Sequence, residues 1–258
     1  MQSESSGDER LPVRKIFIGL LLIEFFLVCC YWVDVLTGES LLVLHGLFDL
    51  DGEGNIPTWF SSAQLLVVGL TLWNIALRQQ RGTQGRHSTP PFFALAGCGA
   101  VYVSLDETAQ IHERVTAWMG QRYVDWLPRW AGSHLLLVLV AVGLIVILTR
   151  FFGPELLTIY RNHRRLVTLA VVGIGIGLTG GMGVETLGYE LLHGERTSLW
   201  YKAEVTVEEF MEMLGASLIL LSALQLKAAL AAQGAPAKSQ PRRSAALLPR
   251  EKSFPLTV

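Results

Sequence analysis

Apolar residues fall into six long runs separated by shorter polar stretches. The runs lie near residues 16–37, 57–77, 92–115, 133–152, 166–188 and 204–226. A helix rises 1.5 Å per residue, so about 20 apolar residues carry it across the hydrocarbon core of a bilayer. Each run meets that length. The pattern predicts an all-α, polytopic membrane protein: a six-transmembrane-helix bundle over residues 16–230. A disordered tail is expected at 1–15 and another at 231–258, where Ala, Pro, Ser and basic residues predominate and no core can form. The first run follows Arg10, Arg14 and Lys15, as a secretory signal would. Its core is too long for one, and Cys29-Cys30-Tyr31-Trp32 is bulky where a signal peptidase needs small residues.

Composition agrees with this reading. Of 258 residues 51% are hydrophobic and only 17% charged, against roughly a quarter charged in soluble domains. The three cysteines, Cys29, Cys30 and Cys98, lie inside apolar runs without the spacing of a zinc or redox motif. No phosphate loop, dinucleotide fingerprint, His-Glu-x-x-His helix or Gly-x-Ser-x-Gly elbow is present. The lipid bilayer is the expected partner, together with a protein partner in the membrane, and nucleic acid is not.

Lys and Arg concentrate in cytoplasmic loops of membrane proteins. Three lie in the N-terminal tail, three in the second loop, four in the fourth and six toward the C-terminus, so 16 of the 21 fall on one side. That places both termini in the cytoplasm. Trp32, Trp59, Trp118, Trp126, Trp130 and Trp200 fall near the outer boundary, where indoles favour the headgroup region.

The acidic residues sort the opposite way. Of 22, five are cytoplasmic, Glu24 is mid-span, and 16 belong to the outer half or outer loops, leaving that side at −11. Many of these acids lie within the runs. A charge at membrane depth is expensive and faces a bundle interior or a wet cavity. By helical rise, Asp106 and Glu212 lie about 21 Å from the inner boundary, and Glu113, Glu185 and Glu208 about 27–31 Å. Asp106, Gln110 and Glu113 share one helical stripe, and Glu204, Glu208 and Glu212 another, with Glu107 and Glu209 flanking. Gly173, Gly177 and Gly181 precede Glu185 at four-residue spacing, which puts Glu185 on a close-packing face. Glu24 is expected to take a polar contact from a neighbouring helix.

Carboxylates this close need protons or a cation to coexist. Oxygen and imidazole donors together suit a divalent metal ion. The expected metal ligands are Asp106, Glu113, Glu185, Glu208, Glu212, His112 and His134, in an outward-facing site that could serve catalysis. Two alternatives use the same acids: a proton- or cation-coupled transporter, and a non-catalytic accessory subunit whose acids hold helices or a partner together. Asp49-Leu-Asp51-Gly-Glu53-Gly-Asn55 alternates oxygen ligands as calcium loops do, but lacks the closing glutamate and reads as an acidic turn before Pro57.

Three segments carry a resemblance: Asp-Leu-Asp-Gly-Glu-Gly-Asn-Ile-Pro-Thr-Trp-Phe-Ser-Ser at 49–62, Ser-Leu-Asp-Glu…Ile-His-Glu at 104–113, and Val-Glu-Glu-Phe-Met-Glu-Met-Leu-Gly at 207–215. Together they resemble an uncharacterised group of bacterial six-span integral membrane proteins. The resemblance implies that architecture and a setting in the bacterial inner membrane, and it implies no activity.

Overall fold

A computed structural model describes residues 5–38, 42–82, 90–112, 114–115, 117–118, 129–184 and 197–234. The side chains at 5–11, 42–44, 81–82, 90, 129–141 and 144 are not among those described. Six α-helices appear in order: α1 (Ser5–Leu36), α2 (Leu42–Phe48), α3 (Ile56–Gly82), α4 (Pro90–Ala109), α5 (Arg129–Leu178) and α6 (Leu199–Gly234). A π-helical turn, Thr179–Val184, continues α5. No strand occurs among the described residues. Helix α1 runs back into the segment expected to form the N-terminal tail, and α6 runs to Gly234 before the described residues end.

Among the described residues, four stretches are long and apolar enough to cross a membrane: Pro12–Leu36, Ile56–Gln80, Ile145–Val184 and Leu199–Gln233. The third expected run corresponds to α4, which is only 20 residues long and ends in charge at Asp106 and Glu107. The fourth expected run and the described part of the fifth both fall in α5 and its π turn. Straight, this 50-residue helix would be about 75 Å long, far more than one crossing. It bends instead at His163, whose φ of −133° and ψ of 39° are not helical.

Side-chain contacts fix the direction of each element. Ser62 meets Ser104, Gly69 meets Gly97 and Trp73 meets Ala94, so α3 and α4 are antiparallel. Phe60 packs on Met213 and Ile75 on Leu226, so α3 and α6 run the same way. Tyr31 with Val205 and Glu24 with Ser217 set α1 antiparallel to α6. Gly173 with Gly215 and Gly180 with Glu208 do the same for the last arm of α5. Helix α6 is central, touching α1, α3 and α5, and α4 packs outside α3. Phe152, Ile159 and Leu166 all meet the end of the bundle formed by Phe92, Ile75 and Leu226. Arg150, Arg161, Arg164 and Arg165 therefore lie at that end, with Arg78 and Lys227. The opposite end gathers the acids.

Burial is inverted relative to a water-soluble helix. On α1, Leu22 and Phe25 are each 64% exposed and Phe26 57%, while Glu24 is 0% and Asp34 2% exposed. Burial of charge and exposure of large apolar groups on one helix makes sense only against an apolar solvent, where the polar side must face protein. Trp59, Trp118 and Trp200 are exposed at the acidic end, as interfacial indoles are. The pattern is that of a membrane protein.

Small residues set the two tightest helix contacts. A Cβ added at Gly97 would stand 2.5 Å from Trp73 Cδ1 and 3.0 Å from the Gly69 carbonyl oxygen, and one at Gly173 2.8 Å from the Gly215 carbonyl oxygen. Neighbouring backbone cannot yield as a flexible side chain would. Without a hydrophobic drive between helices in lipid, such close backbone approach is a main source of association. Gly97→Val and Gly173→Val should each destabilise the detergent-solubilised protein by about 1–3 kcal/mol, whereas Gly99→Val, where a Cβ meets nothing within 4 Å, should leave its thermal unfolding almost unchanged.

Candidate functional site

The acidic end is built from the turn before α3 outward. Asn55 caps α3: its Oδ1 accepts from the Thr58 backbone N–H at 3.0 Å and from the Thr58 hydroxyl at 3.0 Å, satisfying helix-start donors. Its side-chain amide reaches back to the carbonyls of Asp49 and Gly52, and Asp49 Oδ1 accepts from the Asp51 N–H at 3.1 Å. The segment expected to be an acidic turn folds as one. The Tyr201 hydroxyl donates to Asp51 Oδ1 at 2.6 Å, and Leu50 is buried with Tyr31 and Val205. These contacts bind the turn to α1 and α6 and leave Glu53 at the surface.

Two serines one turn into α3 join it to α4. The Ser62 hydroxyl donates to the Ser104 carbonyl at 2.7 Å and the Ser104 hydroxyl to the Ser62 carbonyl at 2.8 Å. This reciprocal pair fixes the level of α4 and brings Glu107 alongside α3. The Ser61 hydroxyl donates to Glu107 Oε1 at 2.7 Å. Glu107 in turn acts on Glu209 of α6, as do the charges of Glu212, Glu208 and Glu53. Glu212 lies over Gly181 of the π turn, where an added Cβ would overlap its carboxylate. The wide turn of glycines is the seat of that side chain.

Asp106 turns elsewhere. Helix α4 ends at Ala109 because Gln110 adopts φ 52°, a left-handed conformation that breaks the helix. The expected stripe through Asp106, Gln110 and Glu113 assumed an unbroken helix; the helix is interrupted at Gln110, and Glu113 lies outside the described residues. The next turn folds back so that the His112 backbone N–H donates to Asp106 Oδ1 at 2.8 Å and its Nδ1 donates to Asp106 Oδ2 at 2.6 Å. A carboxylate on Nδ1 holds the imidazole in one tautomer, with Nε2 as the lone-pair nitrogen, the arrangement of a general base or a supported metal ligand. A second such pair stands at the same end: His45 Nδ1 bonds Asp34 Oδ2 at 2.9 Å.

Of the expected site residues, the structure thus gathers Glu208 and Glu212 with the flanking Glu107 and Glu209, and pairs Asp106 with His112. Glu113, Glu185 and the side chain of His134 lie outside the described residues. Among the described residues, no group of three or more His, Cys, Asp or Glu is placed to hold a metal ion. Sequence reasoning missed Ser61 as a partner of Glu107 and Glu53 as a contributor. The first lay open in the pairing of an outer-level serine with an outer-level acid, and the second in the acidic turn itself.

Residues 15–227 match the model of a family described as Domain of unknown function (DUF8692). The chain belongs to this family. The match spans α1 through most of α6, so the family's shared unit includes the whole acidic end together with the helices that carry it. No curated protein and no solved structure matches the chain.

The Asp106–His112 pair gives the site a direct readout. Nitrogen-15 histidine resonances should show His112 as the Nδ1–H tautomer, and Asp106→Ala should convert it to the Nε2–H form that free neutral imidazole favours. An unchanged tautomer in Asp106→Ala would mean the contact does not control the ring.

Proposed function

We propose that this protein is a six-span, multi-pass protein of the bacterial cytoplasmic membrane with both termini inside, and that its outward-facing acidic end binds a divalent cation. Chain direction supports the sixfold reading. Helix α4 and the last arm of α5 both run opposite to α3 and α6, so the chain between them has to return across the bundle. The apolar run at 133–152 is the segment that does so. The excess of Lys and Arg at the opposite end orients the whole.

One feature supports the cation reading: Glu209 is withdrawn from water, and the carboxylates of Glu212, Glu107, Glu208 and Glu53, from α6, α4 and the 49–55 turn, lie within its electrostatic reach. Carboxylates held together in a low-dielectric setting need protons or a compensating cation, and a bound cation lets them stay ionised. Glu107, Glu209 and Glu212 are the first candidate ligands, together with Glu208, because a hard cation is drawn to carboxylate oxygen. The Asp106–His112 pair holds an oriented imidazole at the same end of the bundle, which would supply a nitrogen ligand or a base to a cation site there. Glu113, Glu185 and His134 complete the set of candidates.

Proton- or cation-coupled transport is the second reading, and one feature favours it: Glu24 provides an acid at mid-depth, on the inner side of the cluster. Metal analysis of the full-length protein purified in mild detergent separates the two. The cation reading expects about one equivalent of a divalent metal, retained in Glu24→Gln and lost in Glu107→Gln and Glu209→Gln. Protein free of metal, and taking up none from added Mg²⁺, Mn²⁺, Zn²⁺ or Ca²⁺, would overturn it. Proton-driven flux into liposomes by metal-free protein would establish the second reading. Cysteine labelling from the two sides, with residues 2 and 256 both reached only from within, checks the topology.

A further inference from the structure

The centre of the bundle holds a carboxyl group that the acidic end does not use. Glu24 lies midway along Pro12–Leu36, about 18 Å from either end of that span at the helical rise. It is fully buried, as is Ser217, and Gln64 is 3% exposed. These side chains come from α1, α6 and α3. The Gln64 amide Nε2 donates to Glu24 Oε1 at 3.0 Å and to Ser217 Oγ at 2.8 Å, and the Ser217 hydroxyl donates to the same Glu24 Oε1 at 2.6 Å. The triangle closes on one oxygen. Glu24 Oε2 is buried and has no partner, and neither does Gln64 Oε1.

We propose that Glu24 is a proton-binding site: a neutral carboxylic acid that keeps its proton on Oε2 at the junction of α1, α3 and α6. The hydrogen-bond pattern is that of an acid rather than a carboxylate. Oε1, accepting two donors, behaves as the carbonyl oxygen. Oε2, accepting none, is where the hydroxyl belongs. An ionised carboxylate would leave half its charge on an atom with no donor, at the depth where hydration is least available. Protonation instead makes Oε2 a donor, the kind of group that the unpartnered Gln64 Oε1 lacks. A metal ion is a poor fit at Oε1, because Gln64 Nε2 and Ser217 Oγ present hydrogens to it where a metal would require lone pairs.

No charge from the packed elements compensates an ionised form. On α1, the segment 16–33 carries no ionisable group besides Glu24 except Cys29, Cys30 and Tyr31, all neutral near pH 7. On α3, none occurs from Ile56 to Leu77. On α6, Glu212 precedes Ser217 by five residues and Lys227 follows by ten. Glu212 would oppose a second negative charge, and Lys227 lies about 15 Å farther along the helix. Between the node and the outer acids, one turn up on each helix, Leu27, Phe60 and Met213 pack into an apolar layer. The proton is therefore sealed from the acidic end in this conformation, and the inference stands or falls apart from any ion bound there.

Infrared spectroscopy of the full-length protein in detergent tests it. A C=O stretch of a protonated carboxylic acid should persist from about pH 5 to about pH 9, well past the range where exposed glutamates ionise, and should vanish in Glu24→Gln. Because Gln mimics the neutral acid, Glu24→Gln should unfold at the wild-type temperature while Glu24→Ala unfolds lower. Ser217→Ala, which removes one donor to Oε1, should move the band to higher frequency, and this reads out even if the Glu24 variants fail to fold. The proposal is overturned if the wild-type band disappears near pH 5, if it survives in Glu24→Gln, or if it is unmoved in Ser217→Ala.

Discussion

A charged or strongly polar side chain inside a bilayer has to face protein, and the arrangement of this bundle follows from that constraint. Helix α1 shows it most plainly. Leu22, Phe25 and Phe26 face outward while Glu24, Leu27, Tyr31 and Asp34 are buried, so the inward face of the helix carries two carboxyl groups among its apolar contacts. The apolar groups gain little from burial when the surroundings are themselves apolar. Polar contacts and close backbone packing then have to specify which helix meets which.

The structure uses both. Glycine contacts hold α3 to α4 and α5 to α6 at backbone distance, while polar side chains fix their levels: the Ser62–Ser104 pair, the Gln64–Glu24–Ser217 triangle, and the Ser222 hydroxyl on the Leu166 carbonyl. Those same devices position the acids. Had α4 slid by one turn along α3, Glu107 would leave Ser61, and without the glycines of the π turn Glu212 would have no place to lie. Packing and the candidate site are one piece of engineering in this fold, and a substitution at Gly181 is a substitution at Glu212.

Much of this was legible in the sequence. The apolar runs give an all-helical protein with helices long enough to cross a membrane, and the opposed distributions of basic and acidic residues give the end at which the acids gather. The four-residue glycine spacing likewise announced a close-packing face, which Gly173 turns to Gly215 of α6, and the need for a partner at Glu24 followed from its depth. Helix rotation and local breaks were not legible. Nothing in the string Thr-Ala-Gln-Ile-His marks Gln110 as left-handed, since that conformation usually selects Gly or Asn. The break it causes turns Asp106 to His112 and leaves Glu107 facing α3 and α6, reversing the order of importance that an unbroken helix implies. The bend at His163 is similarly unmarked, for a histidine is not a helix breaker by propensity alone.

The account rests on acids from separate segments sharing one electrostatic environment, and a double-mutant cycle measures that without reference to any ion. In chelator at about pH 8, Glu107→Gln and Glu209→Gln should each raise the unfolding temperature by relieving repulsion. Combined, they should fall short of the sum by more than the roughly 0.5 kcal/mol within which independent sites add. Strict additivity of the two substitutions would show that α4 and α6 do not bring their carboxylates together, and the proposed cation site would have no basis.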